Sequence, residues 1–183
     1  MRKLIVFNSV SVDGYFVDAN GEMSWAHGAD PEFNAFTQEN ARGGGTLLFG
    51  RITYELMASY WPTPMAAKND PVVAEGMNKM QKVVFSRKME KATWNNTRLV
   101  KNNLAEEVRR LKKEAETDLV LMGSGTIVAQ LAEERLIDEY QLVVVPVALG
   151  GGRTLFEGVK AKLDLKLKSS RIFQSGRVYL CYV

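Results

Sequence analysis

Glycine, arginine and hydroxyl residues follow four predicted strands of this 183-residue chain, in segments 11–14, 49–53, 85–87 and 122–126. In an open α/β sheet, the loops after parallel strands converge at one edge, where helix N-termini present free N–H groups. The four segments therefore predict a site for an anionic ligand at that edge.

Two of these segments carry an arginine beside a hydroxyl residue. Gly50-Arg51-x-Thr53 combines a forked donor, a fixed charge and the N-terminal end of a helix dipole. Ser86-Arg87 supplies a second such pair after the next strand. Two arginine-bearing strand ends predict a site for a 2′-phosphate, although each arginine could equally be an exposed surface charge.

The fourth segment is rich in glycine. Gly123 and Gly125 would let backbone amides approach a pyrophosphate, and Ser124 and Thr126 add hydroxyls at the helix start. The alternative is an ordinary tight turn, because Val128 stands where the G-x-G-x-x-G pattern requires its third glycine.

Short apolar runs and helical periodicities alternate along the chain and predict the elements that position these segments. The predicted strands are 3–10, 46–49, 82–86, 97–100, 119–122 and 139–147. The predicted helices are 31–42, 51–59, 72–80, 104–115 and 127–135. A terminal hairpin combines the alternating leucines of 163–167, a turn at Ser175-Gly176 and a return strand over 177–183. The expected architecture is one α/β domain over 1–183, with a mixed, mostly parallel sheet and an antiparallel C-terminal hairpin.

Composition excludes several classes of function. The single cysteine and single histidine allow neither an internal disulfide nor a Cys/His metal cluster, so no metal is expected. Apolar runs fall short of the roughly 20 residues of a membrane helix, and no signal peptide is recognised, which predicts a cytoplasmic protein. Segment 79–113 carries eleven lysines and arginines against three acids, but it contains no nucleic-acid-binding motif, so a nucleic-acid partner is not expected.

The chain resembles the dihydrofolate reductase superfamily in the ordered motifs VSVDGYF, LLFGRITYE, VVFSR and LVLMGSGT. It is most similar to single-domain relatives of the C-terminal reductase domain of the bifunctional riboflavin biosynthesis enzyme. The resemblance covers essentially the whole chain. It implies a three-layer fold with an eight-stranded sheet and helices on both faces, NADPH bound across the sheet, and a homodimer.

The resemblance also implies residue roles. It puts Gly50, Arg51 and Thr53 at the cofactor phosphates and Ser86 with Arg87 at the 2′-phosphate. Gly123, Ser124, Gly125 and Thr126 would contact the pyrophosphate and nicotinamide. Ser11, Asp13 and Gly14 would line the inner end of the cleft, and Gly151 with its neighbouring glycines would form the far wall.

Substrate binding is less defined by the sequence. Trp25 and Asp30 stand at the five-residue spacing of the tryptophan and pterin-binding carboxylate of folate reductases, but Pro31 makes Asp30 a good helix cap. Hydride transfer to a C=N or C=O bond needs a proton donor. The candidates are Asp13, Tyr15, His27 and Asp30, while Arg153 or Lys160 could bind a substrate phosphate. The expected function is an NADPH-dependent reductase for a pterin-like or aminopyrimidine-like heterocycle, which could carry a ribosyl phosphate; the alternative is a nucleotide-binding protein without turnover.

Overall fold

The computed structural model describes residues 1–28 and 30–183, so the predicted loop at 18–30 includes one residue, Ala29, outside the described part. The strands are β1 (Leu4–Ser11), β2 (Tyr15–Val17), β3 (Thr46–Gly50), β4 (Gln81–Phe85), β5 (Thr97–Val100), β6 (Leu119–Leu121), β7 (Glu139–Val145), β8 (Arg153–Thr154), β9 (Leu167–Ile172) and β10 (Val178–Tyr182). The helices are α1 (Pro31–Gly43), α2 (Arg51–Tyr60), α3 (Pro64–Asn69), α4 (Pro71–Lys79), α5 (Leu104–Glu114) and α6 (Gly125–Glu133), with a 3-10 turn at Ser24–Ala26. Among these helices, none is long and apolar enough to span a bilayer.

The main sheet has the order β5-β4-β3-β6-β1-β7-β10-β9. Its strands from β5 to β7 pair in parallel, whereas β10 pairs antiparallel with β7 and β9. This confirms the predicted α/β class and C-terminal hairpin. The hairpin starts later than predicted, because Leu163 and Leu165 pack against the core from an irregular segment before β9.

Helices cover both faces of the sheet, as the three-layer prediction requires. Because side chains alternate along a strand, Leu48 faces one layer while Leu47 and Phe49 face the other. The first layer contains Val108 of α5 and Leu131 of α6. The second contains residues from α1, α2 and α4: Ala41, Tyr54, Val73 and Met77.

A small second sheet joins β2 to β8, pairing Tyr15 with Thr154 and Val17 with Arg153. Gly152 permits this pairing, because a Cβ there would lie 2.0 Å from the Val17 carbonyl oxygen. Strands of two and three residues are too short to show a hydrophobic period, so the sequence did not predict them.

The parallel arrangement puts the carboxyl ends of β1, β3, β4, β6 and β7 at one edge of the sheet. The central strand β6 is short and its pairing ends at Leu121, opposite Val6 of β1 and Leu48 of β3. Both neighbours continue past it, β1 to Ser11 and β3 to Gly50. A gap therefore opens between β1 and β3 where β6 ends.

Candidate functional site

The ends of β3 and β6 lie in direct contact at this gap. The Gly50 N–H donates to the Gly123 carbonyl at 2.9 Å. A Cβ on Gly50 would lie 2.6 Å from Ser124 Oγ and 3.2 Å from Ser124 N, closer than a side chain tolerates. Glycine at position 50 thus allows the N-termini of α2 and α6 to lie side by side, which brings together two segments that the sequence singled out separately.

Neither of these helices has a side-chain cap. The residue before α2 is Gly50, and Ser124 before α6 bonds through its Oγ to Thr126 Oγ1 at 2.8 Å instead of to the helix backbone. In α1, α3 and α4, by contrast, the N-cap side chain accepts a hydrogen bond from the first turn, while α5 also lacks a side-chain cap. Uncapped first-turn N–H groups and the positive end of the helix dipole favour an anion. Two adjacent N-termini of this kind suit a pair of linked phosphates.

The arginine and hydroxyl residues predicted for the 2′-phosphate follow the ends of neighbouring strands. Gly50 pairs with Phe85, so Arg51 and Ser86 follow adjacent strands in register. The Arg51 guanidinium bonds to Glu55 at 2.8 and 3.1 Å on its own exposed helix face. Ser86 Oγ accepts from the N–H groups of Lys88 and Met89, which leaves its hydroxyl hydrogen for another acceptor. Arg87 is exposed.

Thr53 and Asn8 converge on Gly123 from opposite sides of the gap. A Cβ on Gly123 would lie 3.2 Å from Thr53 Oγ1 and 3.6 Å from Asn8 Nδ2. Asn8 Oδ1 is buried without a hydrogen-bond partner among the described residues. Asn8 was missed by the sequence reasoning, although a polar amide directly after the apolar first half of β1 was a visible signal.

Asp13 fixes the loop after β7 to the end of β1. Its carboxylate accepts from Ser11 Oγ at 2.6 Å and from the N–H groups of Leu149 at 3.1 Å and Gly150 at 2.7 Å. These hydrogen bonds, the one from Ser11 foremost, lower the pKa of Asp13 to about 2. Asp13 is therefore ionised at neutral pH and positions the loop. It does not have the proton that the predicted donor role requires.

Ser11 belongs to the same turn. It is 1% exposed, and its Oγ accepts from the Tyr15 N–H at 2.9 Å while donating to Asp13. Its only hydroxyl hydrogen is committed to Asp13, which leaves Ser11 as a residue that shapes the cleft end.

Asp30 caps α1, as the alternative interpretation predicted. One carboxylate oxygen accepts from the Phe33 N–H at 2.9 Å, and the other accepts from Ser175 Oγ and from Arg177 Nη1 at 3.4 Å. The hydrogen bond from Ser175 is the main cause that lowers the pKa of Asp30. This carboxylate is 3% exposed, and its oxygens are occupied by donors of the chain itself.

The remaining predicted residues lie in or next to β2, β8 and the 3-10 turn, except Lys160, which lies near the C-terminal end of α6. Tyr15 is partly exposed on β2, and its hydroxyl has no partner among the described side chains. Trp25 lies in the 3-10 turn and donates from Nε1 to the Glu22 carbonyl at 3.1 Å, while His27 is exposed. Gly151 faces open space, and Gly14 has a φ of +88° in the Ser11 turn. Arg153 and Lys160 pair with Glu157 and Glu133 at 3.8 Å.

A family model for the RibD C-terminal domain matches residues 2–179. The chain belongs to this family. Within it, the protein YyaP of Bacillus subtilis strain 168 is 31% identical over 183 residues, which covers 99% of this chain and 94% of YyaP. The family assignment confirms the resemblance drawn from the ordered motifs.

Two solved structures share the fold of this RibD C-terminal domain protein. A putative riboflavin biosynthesis protein from Shewanella sp. PV-4 superposes with a TM-score of 0.75 at 24% identity, covering 100% of this chain and 98% of the other. Dihydrofolate reductase from Enterococcus faecalis, complexed with NADP(H), superposes with a TM-score of 0.64 at 14% identity, covering 98% and 95%. The fold is thus of the dihydrofolate reductase type.

Proposed function

We propose that this protein is an NADPH-dependent reductase that transfers a hydride to a small heterocyclic substrate, pterin-like or aminopyrimidine-like, which can carry a ribosyl phosphate. The observation that carries the proposal is the contact of Gly50 with Gly123 and Ser124, which brings two uncapped helix N-termini together beside Arg51 and Arg87. Family membership supports the reductase class.

The residues fit a phosphorylated dinucleotide. The first-turn N–H groups of α2 and α6 would hold the pyrophosphate, with Thr53, Ser124 and Thr126 adding hydroxyls. Ser86, Arg87 and Arg51 would hold the 2′-phosphate, Arg51 exchanging its exposed pairing with Glu55 for the phosphate. The cofactor supplies the hydride when it is bound.

We propose that the proton comes from another group than the two carboxylates, because the oxygens of Asp13 and Asp30 already accept hydrogen bonds from the chain itself. Two predicted donors are left, His27 and Tyr15; His27 is exposed, whereas Tyr15 is partly buried on β2. We propose that Tyr15 donates the proton to the atom that receives negative charge during hydride transfer.

The second candidate is an NADPH-binding protein without turnover. The hydrogen bonds of Asp13 and Asp30 favour this candidate, because both carboxylates accept from the chain's own donors. Steady-state oxidation of NADPH with a pterin or aminopyrimidine would decide for the reductase. Cofactor binding without oxidation across such a panel would decide for the binding protein.

We propose that the protein is a homodimer acting in the cytoplasm. The outermost strand β9 leaves an unpaired edge and exposes Ile172 at 75% and Leu167 at 50%. Ile172→Asp should shift a dimer to monomer in sedimentation velocity. A wild-type monomer at high concentration would contradict the dimer.

The cofactor proposal is tested by thermal melts with NADPH, NADH and no ligand at one ionic strength. A ligand at a hundredfold excess over its Kd adds about 2.7 kcal/mol, which raises the Tm of a domain of this size by roughly 5 to 10 °C. We expect this rise with NADPH and little change with NADH. No rise with either would remove the reductase proposal.

A further inference from the structure

Asn8 occupies an unusual position in the centre of the sheet. It is 4% exposed between Val6 at 0% and Val10 at 7% on the same face of β1. Its Oδ1 is buried with no hydrogen-bond partner among the described residues. A buried acceptor without a donor is destabilising, so its presence in this strand needs an explanation.

The surroundings of Asn8 point to the gap where β6 ends. Pairing between β1 and β6 stops at Val6 and Leu121. After Leu121 the chain continues to bond to β3. Met122 N donates to the Leu48 carbonyl at 3.1 Å, and Gly50 N donates to the Gly123 carbonyl at 2.9 Å. Asn8 is the first residue beyond Val6 on the same face of β1, so its amide lies beside the gap.

Gly123 leaves the space between Asn8 and Thr53 without a side chain. The position of a Cβ there is 3.6 Å from Asn8 Nδ2 and 3.2 Å from Thr53 Oγ1. This end of the gap is continuous with the N-terminus of α6, where the pyrophosphate is proposed to bind. Because Gly123 directly precedes Ser124 at the start of α6, the Asn8 amide lies next to the proposed pyrophosphate site, where a group attached to that pyrophosphate would be close to it.

The chemistry of Asn8 specifies the group it would bind. An asparagine amide offers one acceptor and two N–H donors. A primary carboxamide is its complement, because the carboxamide N–H can donate to Oδ1 while the carboxamide oxygen accepts from Nδ2. In NADPH such a carboxamide is present on the nicotinamide ring.

We propose that Asn8 is a cofactor-binding residue that pairs with the nicotinamide carboxamide and thereby fixes the ring in the gap between β1 and β3. This inference rests on the proposed function. It accounts for the unpaired amide: Oδ1 is buried, and it would meet its donor when the Asn8 side chain turns towards the bound ring.

The test replaces Asn8 with leucine, which has a similar shape and no polar atoms. Affinities are measured by isothermal titration for NADPH and for 2′-phospho-ADP-ribose, which has the phosphates but no nicotinamide. We expect Asn8→Leu to weaken NADPH about 10-fold to 100-fold and to leave the fragment unchanged within about twofold. The Tm without ligand should stay equal or rise, because the unpaired acceptor has been removed.

Asn78 provides a matched control. Its amide is fully bonded, donating to the Trp61 and Ala74 carbonyls and accepting from Trp94 Nε1. Asn78→Leu should therefore lower the Tm without changing the affinity for NADPH. The two asparagines thus have opposite expected effects on stability and on binding.

A ligand change on the unaltered protein gives an independent measurement that does not depend on a variant's folding. In the 3-acetylpyridine analogue of NADP⁺ a methyl group replaces the carboxamide NH₂, so the donor to Oδ1 is lost. The wild-type protein should prefer NADP⁺ over this analogue, and Asn8→Leu or Asn8→Ala should abolish that preference.

The outcomes separate the two proposals. If wild-type protein binds neither NADPH nor the fragment, the proposed function fails and this inference with it. If it binds both, and Asn8→Leu binds NADPH as tightly as wild type while its Tm falls, only the inference is overturned, and Asn8 has a structural role with a buried water as its partner.

Discussion

The backbone N–H of Gly50 donates to the carbonyl of Gly123 at 2.9 Å, and this bond joins the starts of α2 and α6 although the two glycines belong to different strand-to-helix junctions. The bond is possible because position 50 has no side chain. The proposed phosphate site therefore depends on backbone packing as much as on charged side chains.

Replacing Gly50 with alanine should disrupt this packing. The new Cβ would lie 2.6 Å from Ser124 Oγ, which can rotate away, and 3.2 Å from the Ser124 backbone N, so the two helix starts must shift apart by a few tenths of an ångström. We expect a loss of about 1 to 3 kcal/mol in unfolding free energy and at least about a tenfold weaker Kd for NADPH. Gly43→Ala is the control, since a Cβ there meets nothing within 4 Å; equal effects of the two substitutions would refute the explanation.

Replacing both Arg51 and Arg87 with alanine should weaken NADPH selectively. Each charge-assisted contact contributes about 1.5 to 3 kcal/mol, whereas NADH lacks the 2′-phosphate and should bind nearly unchanged. As a control, Arg109 and Lys113, at exposed positions of α5, are both replaced with alanine. This lowers the net charge by the same amount and should leave the affinities for NADPH and NADH unchanged. An equal loss for NADPH and NADH would argue against a 2′-phosphate site.

Asp13 should make stability depend on pH in the acid range. Its pKa in the folded protein is about 2, below the unfolded value, so its stabilising effect is present above about pH 4 and is lost as pH falls towards 2. The Tm difference between wild type and Asp13→Asn should therefore shrink over this interval. Asp164→Asn, at an exposed surface pair with Lys162, should show little difference at any of these pH values. A constant difference for Asp13→Asn would contradict the assignment.

Lys82 should stabilise the end of α4 without affecting ligand binding. Its buried ammonium donates to the carbonyls of Met77, Asn78 and Met80 and lies 4.6 Å from the Trp94 ring centroid. Lys82→Met removes the donor to the Met77 and Met80 carbonyls, while the Asn78 carbonyl keeps its hydrogen bond from Asn96 Nδ2, and we expect a loss of about 1 to 3 kcal/mol in chemical denaturation. Lys79→Met, at an exposed position of the same helix end, should change stability by less than about 0.5 kcal/mol.

Tyr15→Phe tests the proposed proton donor. If the hydroxyl supplies the proton, kcat should fall about 100-fold to 10,000-fold while the Kd for NADPH is unchanged. Tyr60→Phe, in α2, removes a hydroxyl elsewhere and should leave kcat unaltered. Retention of full kcat by Tyr15→Phe would assign proton delivery to water.

Much of the fold followed from local features of the sequence. Short apolar runs predicted the parallel strands, and helical periodicity predicted α1, α2, α4, α5 and α6 close to their observed bounds. The Asp30-Pro31 pair predicted the start of α1, because a cap forms within one turn. Glycine and arginine at the strand ends identified the candidate phosphate site, because parallel strands bring their carboxyl ends to one edge.

Contacts between residues distant in sequence were decided only by the tertiary structure. Asp13 bonds to Gly150 across 137 positions and Asp30 to Arg177 across 147, and these contacts changed both carboxylates from candidate proton donors to fixed acceptors. The pairing of β2 with β8 and the unpaired amide of Asn8 beside Gly123 likewise depend on where separate elements pack. A sequence determines which groups are present and the local periodicity around them. Whether a polar group remains available for chemistry depends on the hydrogen-bond partners that folding places next to it.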